Sequence, residues 1–406
     1  MRYRHYAFGI IGVAAMLTGC GGINGTLLAP APAGLTAAPT PASVKYATLY
    51  SFSGRGKIGA FPYADLIAVD GTLYGAASLG GAYADGTVFT ITTSGKETTL
   101  HSFHGYDGVG PLAGLVDVKG TLYGTTIGGG DSGSCGSSTY CGTVFSIAPS
   151  GKETVLHNFS GGGDGAEPEA DLIDVKDTLY STTPLGGANQ RGTVFAITTS
   201  GKERVLHDFG GQADGSVPRA GLIDLDGTLY GTTSGGGGSG GCSSTGCGTV
   251  FSITTSGNEK VLHRFSGGTD GVAPFGVLID VNGMLYGTTA SGGTSGAGTV
   301  FSITPSGKEA VLYSFKGGKT DGAHPLAGLT DVNGTLYGTT RNDGVGGYGT
   351  VFSITLSGKE TVLHSFARYE DGQYPNAGLL DDNGTLYGTT SYGGTYTYGT
   401  VFSLKP

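Results

Sequence analysis

Charge is scarce in this chain. Only 13% of its 406 residues are Asp, Glu, Lys or Arg, and 22 basic residues stand against 31 acidic ones, a formal charge of −9. A net negative charge of this size disfavours a phosphate backbone, and no nucleic-acid partner is expected. Long apolar runs are also missing. The one stretch of note, Tyr6 to Leu17, has twelve residues, and a helix that spans a bilayer needs about 20. No Walker-A loop or HExxH string occurs, so the chemistries those motifs carry have no support. What the chain does have is 81 glycines, 22 tyrosines and 17 phenylalanines. That glycine content is far above the usual ~7%, and disordered chains lack so many aromatics. A turn-rich all-β protein fits.

The first residues read as an address. Arg2 and Arg4 precede the apolar run, which ends in Leu17-Thr18-Gly19-Cys20. This order of charged, apolar and small residues is that of an export signal, and the LTGC ending resembles a bacterial lipobox. Residues 1–19 are therefore expected to be a lipoprotein signal peptide and Cys20 the lipid-bearing residue, with palmitate among its acyl chains. An ordinary secretory signal with an incidental cysteine is the alternative. Gly21 and Gly22 follow where an aspartate would mark inner-membrane retention, so the expected location is the bacterial cell envelope, at the outer membrane. Residues 20–43, rich in Ala, Pro, Gly and Thr and without charge, form a flexible tether.

Everything from 44 to 406 is periodic, and the period decides the fold. GTVF strings end at Phe89, Phe145, Phe195, Phe251, Phe301, Phe352 and Phe402, with spacings of 56, 50, 56, 50, 51 and 50. GTLY-like strings end at Tyr74, Tyr123, Tyr180, Tyr230, Tyr286, Tyr337 and Tyr387. Each of the seven units reads as four short strands. In the fifth these are Gly276 to Val281, Met284 to Thr289, Thr299 to Thr304 and Glu309 to Phe315, with Asn282-Gly283 and Ser306-Gly307 at the turns. Asn-Gly pairs favour type I′ hairpins. A lone four-stranded meander cannot bury both faces, so the copies must stack, and units of about 50 residues stacked radially make a seven-bladed β-propeller. Six Ser-Gly turns follow the seven GTVF strands, and the last copy reaches Pro406 without a fourth strand. Residues 45–52 (KYATLYSF) match 309–315 (EAVLYSF) and are expected to complete that blade, closing the ring with an N-terminal strand. A linear solenoid would need capping repeats instead.

The recurring GTLYGTT, GTVFSIT, SGKE and VLHSF strings resemble the GloVer tandem repeat of bacterial choice-of-anchor exported proteins, across residues 44 to 406. The resemblance implies an exported, anchored protein and no assigned activity.

Beyond Cys20, four cysteines remain. Cys135 with Cys141 and Cys242 with Cys247 lie in the glycine loops of the two 56-residue units, where each pair can clip its own loop in an oxidising compartment. A four-thiolate zinc site would require loops of blades two and four to meet across blade three. His101, His157, His207, His263 and His364 share one register position that Tyr50 and Tyr313 also fill, which points to packing or hydrogen bonding on the outer strand. Asp107, Asp164, Asp214, Asp270, Asp321 and Asp371 each precede glycine in the loop to the innermost strand. There a carboxylate can accept its own loop's N–H, and these turns lack the alternating acids of a calcium loop. Asp117, Asp174, Asp224, Asp280, Asp331 and Asp381 ring the innermost strands, either serving the next turn or drawing a cation into the tunnel.

Recurrence reports the scaffold, so departures from the repeat are the place to look for recognition. On one face, blades six, seven and one carry unrepeated Arg341, Asn342, Asp343, Tyr348, Arg368, Tyr369, Tyr374, Tyr392, Tyr396, Phe61, Tyr63 and Tyr83. Tyrosines beside polar groups stack on sugars or anchor proteins with little entropy loss. The expectation is a non-enzymatic module that recognises an extracellular glycan or protein, with no cofactor and no metal. A polysaccharide hydrolase or lyase is the alternative and would need two convergent carboxylates, for which Asp343 and Glu370 are the unrepeated acids on this face. A purely structural spacer or adhesin is the third reading.

Overall fold

The structure is a computed structural model that describes residues 44–130, 141–238, 242, 246–369 and 371–406. Cys20, the signal segment, residues 20–43, Cys135 and Glu370 lie outside the described residues. Seven four-stranded antiparallel sheets are present, and the described residues contain no helix. In blade one the strands are Ile67–Val69, Thr72–Ala77, Thr87–Ile91 and Glu97–Ser102, and blades two to six repeat this order. First strands neighbour one another around the axis, and that of blade one, Ile67–Val69, meets that of blade seven, Leu380–Asp382. The chain is a seven-bladed β-propeller.

The closing strand is Lys45–Ser51, which pairs antiparallel with Thr400–Lys405. Its register reproduces that of every other outer strand down to a one-residue bulge. Thr48 and Tyr50 face Phe402 and Val401, just as Val155 and His157 face Phe145 and Val144 in blade two. A bulge increases strand twist, and its presence in all seven blades shows that residues 45–51 are a true member of the repeat.

The core lies between the blades. A phenylalanine just past each outer strand meets, edge to face, the phenylalanine of the next blade's GTVF strand. The seven pairs run from Phe52–Phe89 to Phe366–Phe402, with centroids 5.0–5.3 Å apart. Such aromatic contacts contribute about 0.5–1.5 kcal/mol beyond area burial. A second contact locks the same interface. Gly399, at φ +98, lies against Pro62 of blade one so closely that a Cβ would stand 2.5 Å from its Cδ. The other GTVF glycines meet a proline of the next blade in the same way, so this glycine is required by space as well as by φ.

The inner turns are of the expected type. Asn282 and Gly283 both have positive φ (56° and 80°), as do Asn333-Gly334 and Asn383-Gly384, the signature of type I′. Asp331 and Asp381 accept the N–H groups of Gly334 and Gly384 at 2.9 and 3.0 Å, so at these positions the inner aspartates serve the turn. One boundary differs from expectation. The first strand of blade five is Ile279–Val281, three residues shorter than the apolar run. Residues 276–278 lie outside the ladder, as do the matching residues of the other blades, whose first strands are also 3 residues long. Cys242 and Cys247 form a disulfide within one loop, five residues apart, and Cys141 is also disulfide-bonded.

Candidate functional site at the mouth of the ring

Each blade is entered by a loop of the form x-Pro-x, as in Phe61-Pro62-Tyr63 and Tyr374-Pro375-Asn376. The residue before the proline is left-handed in all seven blades: Phe61, Gly110, Glu167, Val217, Ala273, His324 and Tyr374 have φ of 55–67°. Six of these are not glycine, and a side chain held there is strained by about 1–3 kcal/mol. Main-chain bonds impose the conformation. Tyr374 N–H donates to the Tyr348 carbonyl at 2.9 Å and its own carbonyl accepts from Ser391 N–H at 3.2 Å, and Phe61 makes the same pair with Tyr398 and Ser78. The scaffold thus presents a ring of freely varying side chains at one end of the tunnel.

On blades six, seven and one these side chains converge. Tyr374 meets Tyr348 at 5.6 Å and Tyr392 at 5.9 Å. Phe61 meets Tyr392 at 4.9 Å and Tyr398 at 5.4 Å, and the Arg341 guanidinium lies 5.8 Å over the Tyr374 ring. Burial and then the neighbouring Tyr392 push the Tyr63 phenol up to about 12, so it stays a neutral donor. Asn376 donates to Ser391 Oγ at 2.8 Å. Three buried polar atoms here have no partner: His324 Nδ1, Arg341 Nε and Asn376 Oδ1. Burial holds His324 below the ordinary histidine value. Unpaired buried groups are rare in folded proteins and ask for an explanation. Three of them, of mixed donor and acceptor character, lie on adjoining loops beside half-exposed aromatic rings.

Below the mouth, the position three after each proline is glycine in four blades and Asp65, Asp171 and Val277 in the others. Asp171 leans back over blade two and accepts Gly114 N–H at 2.5 Å, and Asp65 leans over blade seven and accepts Gly378 N–H at 2.6 Å. Burial raises both carboxyls, and the charge of Asp171 raises Asp65 further. These are two acids enclosed in one channel, each retained closer to its protonated form. Across the mouth, Glu169 and Arg219 form an ion pair, with the guanidinium 5.8 Å from the Phe275 ring.

The twelve residues singled out from the repeat fall into two groups. Phe61, Tyr63, Arg341, Tyr348, Tyr374 and Tyr392 come together at the mouth. Of the others, Asn342 and Asp343 act on His324 from the adjoining ladder, and the remaining four stand apart. Asn342 and Asp343 pair with Gly322 and Ala323 in a two-residue ladder, where Asp343 accepts Gly318 N–H at 2.8 Å. Asp343 is thus engaged locally, while its proposed acidic partner, Glu370, lies outside the described residues. Arg368 stacks on exposed Tyr369. Tyr396 borders a groove with Thr48 to Ser51, and Tyr83 lies at the equivalent rim groove of blade one beside His101.

The repeated histidines and aspartates form pairs. His101–Asp107, His207–Asp214, His263–Asp270 and His364–Asp371 meet at 3.0–3.2 Å, and Tyr313 donates to Asp321 at 2.9 Å. Each aspartate also accepts a main-chain N–H of its own loop, as Asp270 does from Ser266 at 2.7 Å. The pairing ties each outer strand to the loop that leaves it.

The profile described as the Gloeobacter/Verrucomicrobia repeat matches residues 30–243 and 239–406. No curated protein matches the chain in sequence. Among solved structures, a europium-containing methanol dehydrogenase is 11% identical with a TM-score of 0.53, over 89% of this chain and 93% of that one. A candidate 6-phosphogluconolactonase from Bacteroides fragilis is 16% identical with a TM-score of 0.51, over 80% and 88%. Puromycin hydrolase is 12% identical with a TM-score of 0.51, over 81% of this chain and 50% of that one. At such identities the likeness is one of fold.

Proposed function

This chain belongs to the Gloeobacter/Verrucomicrobia repeat family, and we propose that it is a lipid-tethered, non-enzymatic propeller of the bacterial envelope that binds a glycan at the mouth formed by blades six, seven and one. The observation that carries this reading is the set of unpartnered buried atoms, His324 Nδ1, Arg341 Nε and Asn376 Oδ1, beside the Phe61, Tyr374 and Tyr392 rings. A sugar offers apolar C–H faces to such rings and hydroxyls that both donate and accept. The anchor rests on Arg2, Arg4, the apolar run and the LTGC ending at Cys20. No helix among the described residues is long and apolar enough to cross a membrane.

A second reading, hydrolysis of a polysaccharide, is favoured by Asp65 and Asp171, since glycosidases use two carboxyl groups of unequal protonation. One experiment separates the two. On a glycan array, followed by calorimetry on each hit, Tyr374→Ala with Tyr392→Ala is expected to weaken binding at least tenfold, about 1.4 kcal/mol. Unchanged affinity in that variant rules out the mouth. Turnover of the bound glycan that disappears in Asp65→Asn or Asp171→Asn would establish the enzyme reading in its place.

A further inference from the structure

We propose that the ligand of the mouth is a sugar acid, a uronic acid unit whose carboxylate meets the Arg341 guanidinium and whose hydroxyls meet His324 Nδ1 and Asn376 Oδ1; this rests on the glycan reading above. Arg341 is single in its register. The residue that follows the second strand is Ser78, Ile127, Pro184, Ser234, Ala290, Arg341 and Ser391 in blades one to seven. Its main chain is the ordinary one, since Arg341 N–H donates to the His324 carbonyl at 3.1 Å as Ser78 N–H does to that of Phe61. The three serines add a second bond, from hydroxyl to the same carbonyl of their own blade, at 2.8–2.9 Å. Arginine gives that bond up, and its Nε is buried with no partner in return.

The cation also lacks an acid. Among the described residues, arginine and lysine form ion pairs in Arg219–Glu169 and Lys119–Asp177, so of the two arginines at the mouth Arg219 is neutralised and Arg341 is not. Asp343, two residues on, accepts Gly318 N–H instead. A charge whose Nε is shut off from water is costly until an anion meets it. The Tyr374 ring, 5.8 Å from the guanidinium, stacks on its face and leaves its N–H edge for a carboxylate, which the planar fork matches oxygen for oxygen. Asn376 fixes a second contact. The Ser391 hydroxyl donates its proton to the Tyr374 carbonyl at 2.9 Å, so it can only accept from the Asn376 amide at 2.8 Å, and Asn376 Oδ1 is left as an acceptor without a donor. His324, held neutral by burial and bonded to the Asn342 side chain, offers Nδ1 as the third group. An anion, hydroxyls and a C–H face for Phe61 and Tyr392 occur together in a uronic acid. The other unpartnered buried atoms, on Thr87, His157 and the first residue of five outer strands, stand at register positions that most blades share. His324, Arg341 and Asn376 each occur once in their register.

The test is calorimetry of the full chain with matched trimers, galacturonic acid against galactose and glucuronic acid against glucose, each pair in the same linkage. In at least one pair the acid should bind ~10-fold or more tightly than its neutral partner, and in Arg341→Ser that ratio should fall to about one. The variant copies Ser78, Ser234 and Ser391, so it should fold, and an unchanged melting temperature checks that it does. Arg204→Ser removes the same charge from an exposed outer strand, where Arg204 donates to the Thr255 carbonyl at 2.7 Å, and should leave the ratio intact. A ratio that persists in Arg341→Ser, one lost equally in Arg204→Ser, or no binding of any acid trimer by the parent chain would overturn the proposal. Neutral trimers that bind as tightly as the acids would overturn it too while leaving the glycan reading standing, whereas a glycan array without a hit removes both.

Discussion

Replacing Phe52 by alanine should destabilise the whole ring by about 3–5 kcal/mol, the cost of truncating a fully buried phenylalanine. Phe52 follows the closing strand and is 0% exposed, with its ring 5.0 Å from Phe89 of blade one and 5.0 Å from Tyr50. It occupies the same environment as Phe209, which is buried to the same degree and meets Phe251 at 5.3 Å. Phe209→Ala is therefore the matched control, expected to lose a similar amount. The comparison decides whether the N-terminal strand is an ordinary blade strand or a loosely attached tail. Urea denaturation of both variants checks it. A loss below about 1 kcal/mol for Phe52→Ala, beside a full loss for Phe209→Ala, would contradict the role assigned to residues 45–52.

The second large effect concerns pH. Glu259, Glu309 and Glu360 begin the outer strands of their blades, and each has a buried oxygen without a partner. Burial first, then the nearby charges of Asp214, Asp270 and Asp321 respectively, push their carboxyls up to about 7. The folded chain thus holds protons that the unfolded chain, with glutamates near 4.5, releases earlier. Stability must then fall as pH rises from about 4.5 through about 7 and level off above that. Asp164 and Asp270 behave in the opposite sense. Burial opposes their ionisation, but bonds from His157 and Ser160, and from His263 and Ser266, outweigh it and hold them low. Their contribution is present above the usual aspartate range and disappears as pH falls below about 4. The melting temperature should peak near pH 5 and drop by roughly 5 °C at pH 8. The triple variant Glu259→Gln, Glu309→Gln, Glu360→Gln should flatten that decline. A melting temperature that stays level or rises from pH 5 to pH 8 in the parent chain would refute this assignment of the glutamates.

Sequence periodicity made the scaffold legible because the contacts between neighbouring blades recur seven times. The Phe52–Phe89 and Phe366–Phe402 pairs are the same contact written at different positions, so register alone predicts both. The sheet edge that 45–51 completes could be read for the same reason. The site was less legible, and for particular causes. Asp65 and Asp171 occupy a position that is glycine in four blades, a departure visible by aligning the units. Only the ring geometry shows that residues 106 apart in sequence enter one channel. Tyr83 and Tyr396 vary as much as Tyr374 and Tyr392, yet they sit on the outer rim, since variability alone does not distinguish radius. The histidines and aspartates, judged separately, each looked structural. Their pairing depends on how the outer strand turns into the next loop, six to eight residues on.

The mouth depends on ring closure, because only a closed ring places Phe61 and Tyr63 of blade one beside Tyr392 of blade seven. Ala47 and Ser403 are register partners across the closing pair, and the most direct measurement is oxidation of an Ala47→Cys, Ser403→Cys chain, compared with Ala47→Cys, Ser302→Cys. The first should form an intramolecular cross-link that raises the melting temperature, since the loop it closes is long and the stabilisation can approach about 5 kcal/mol. The second should not. Failure of the first pair to cross-link, or equal cross-linking of both, would contradict a propeller closed by its N-terminal strand.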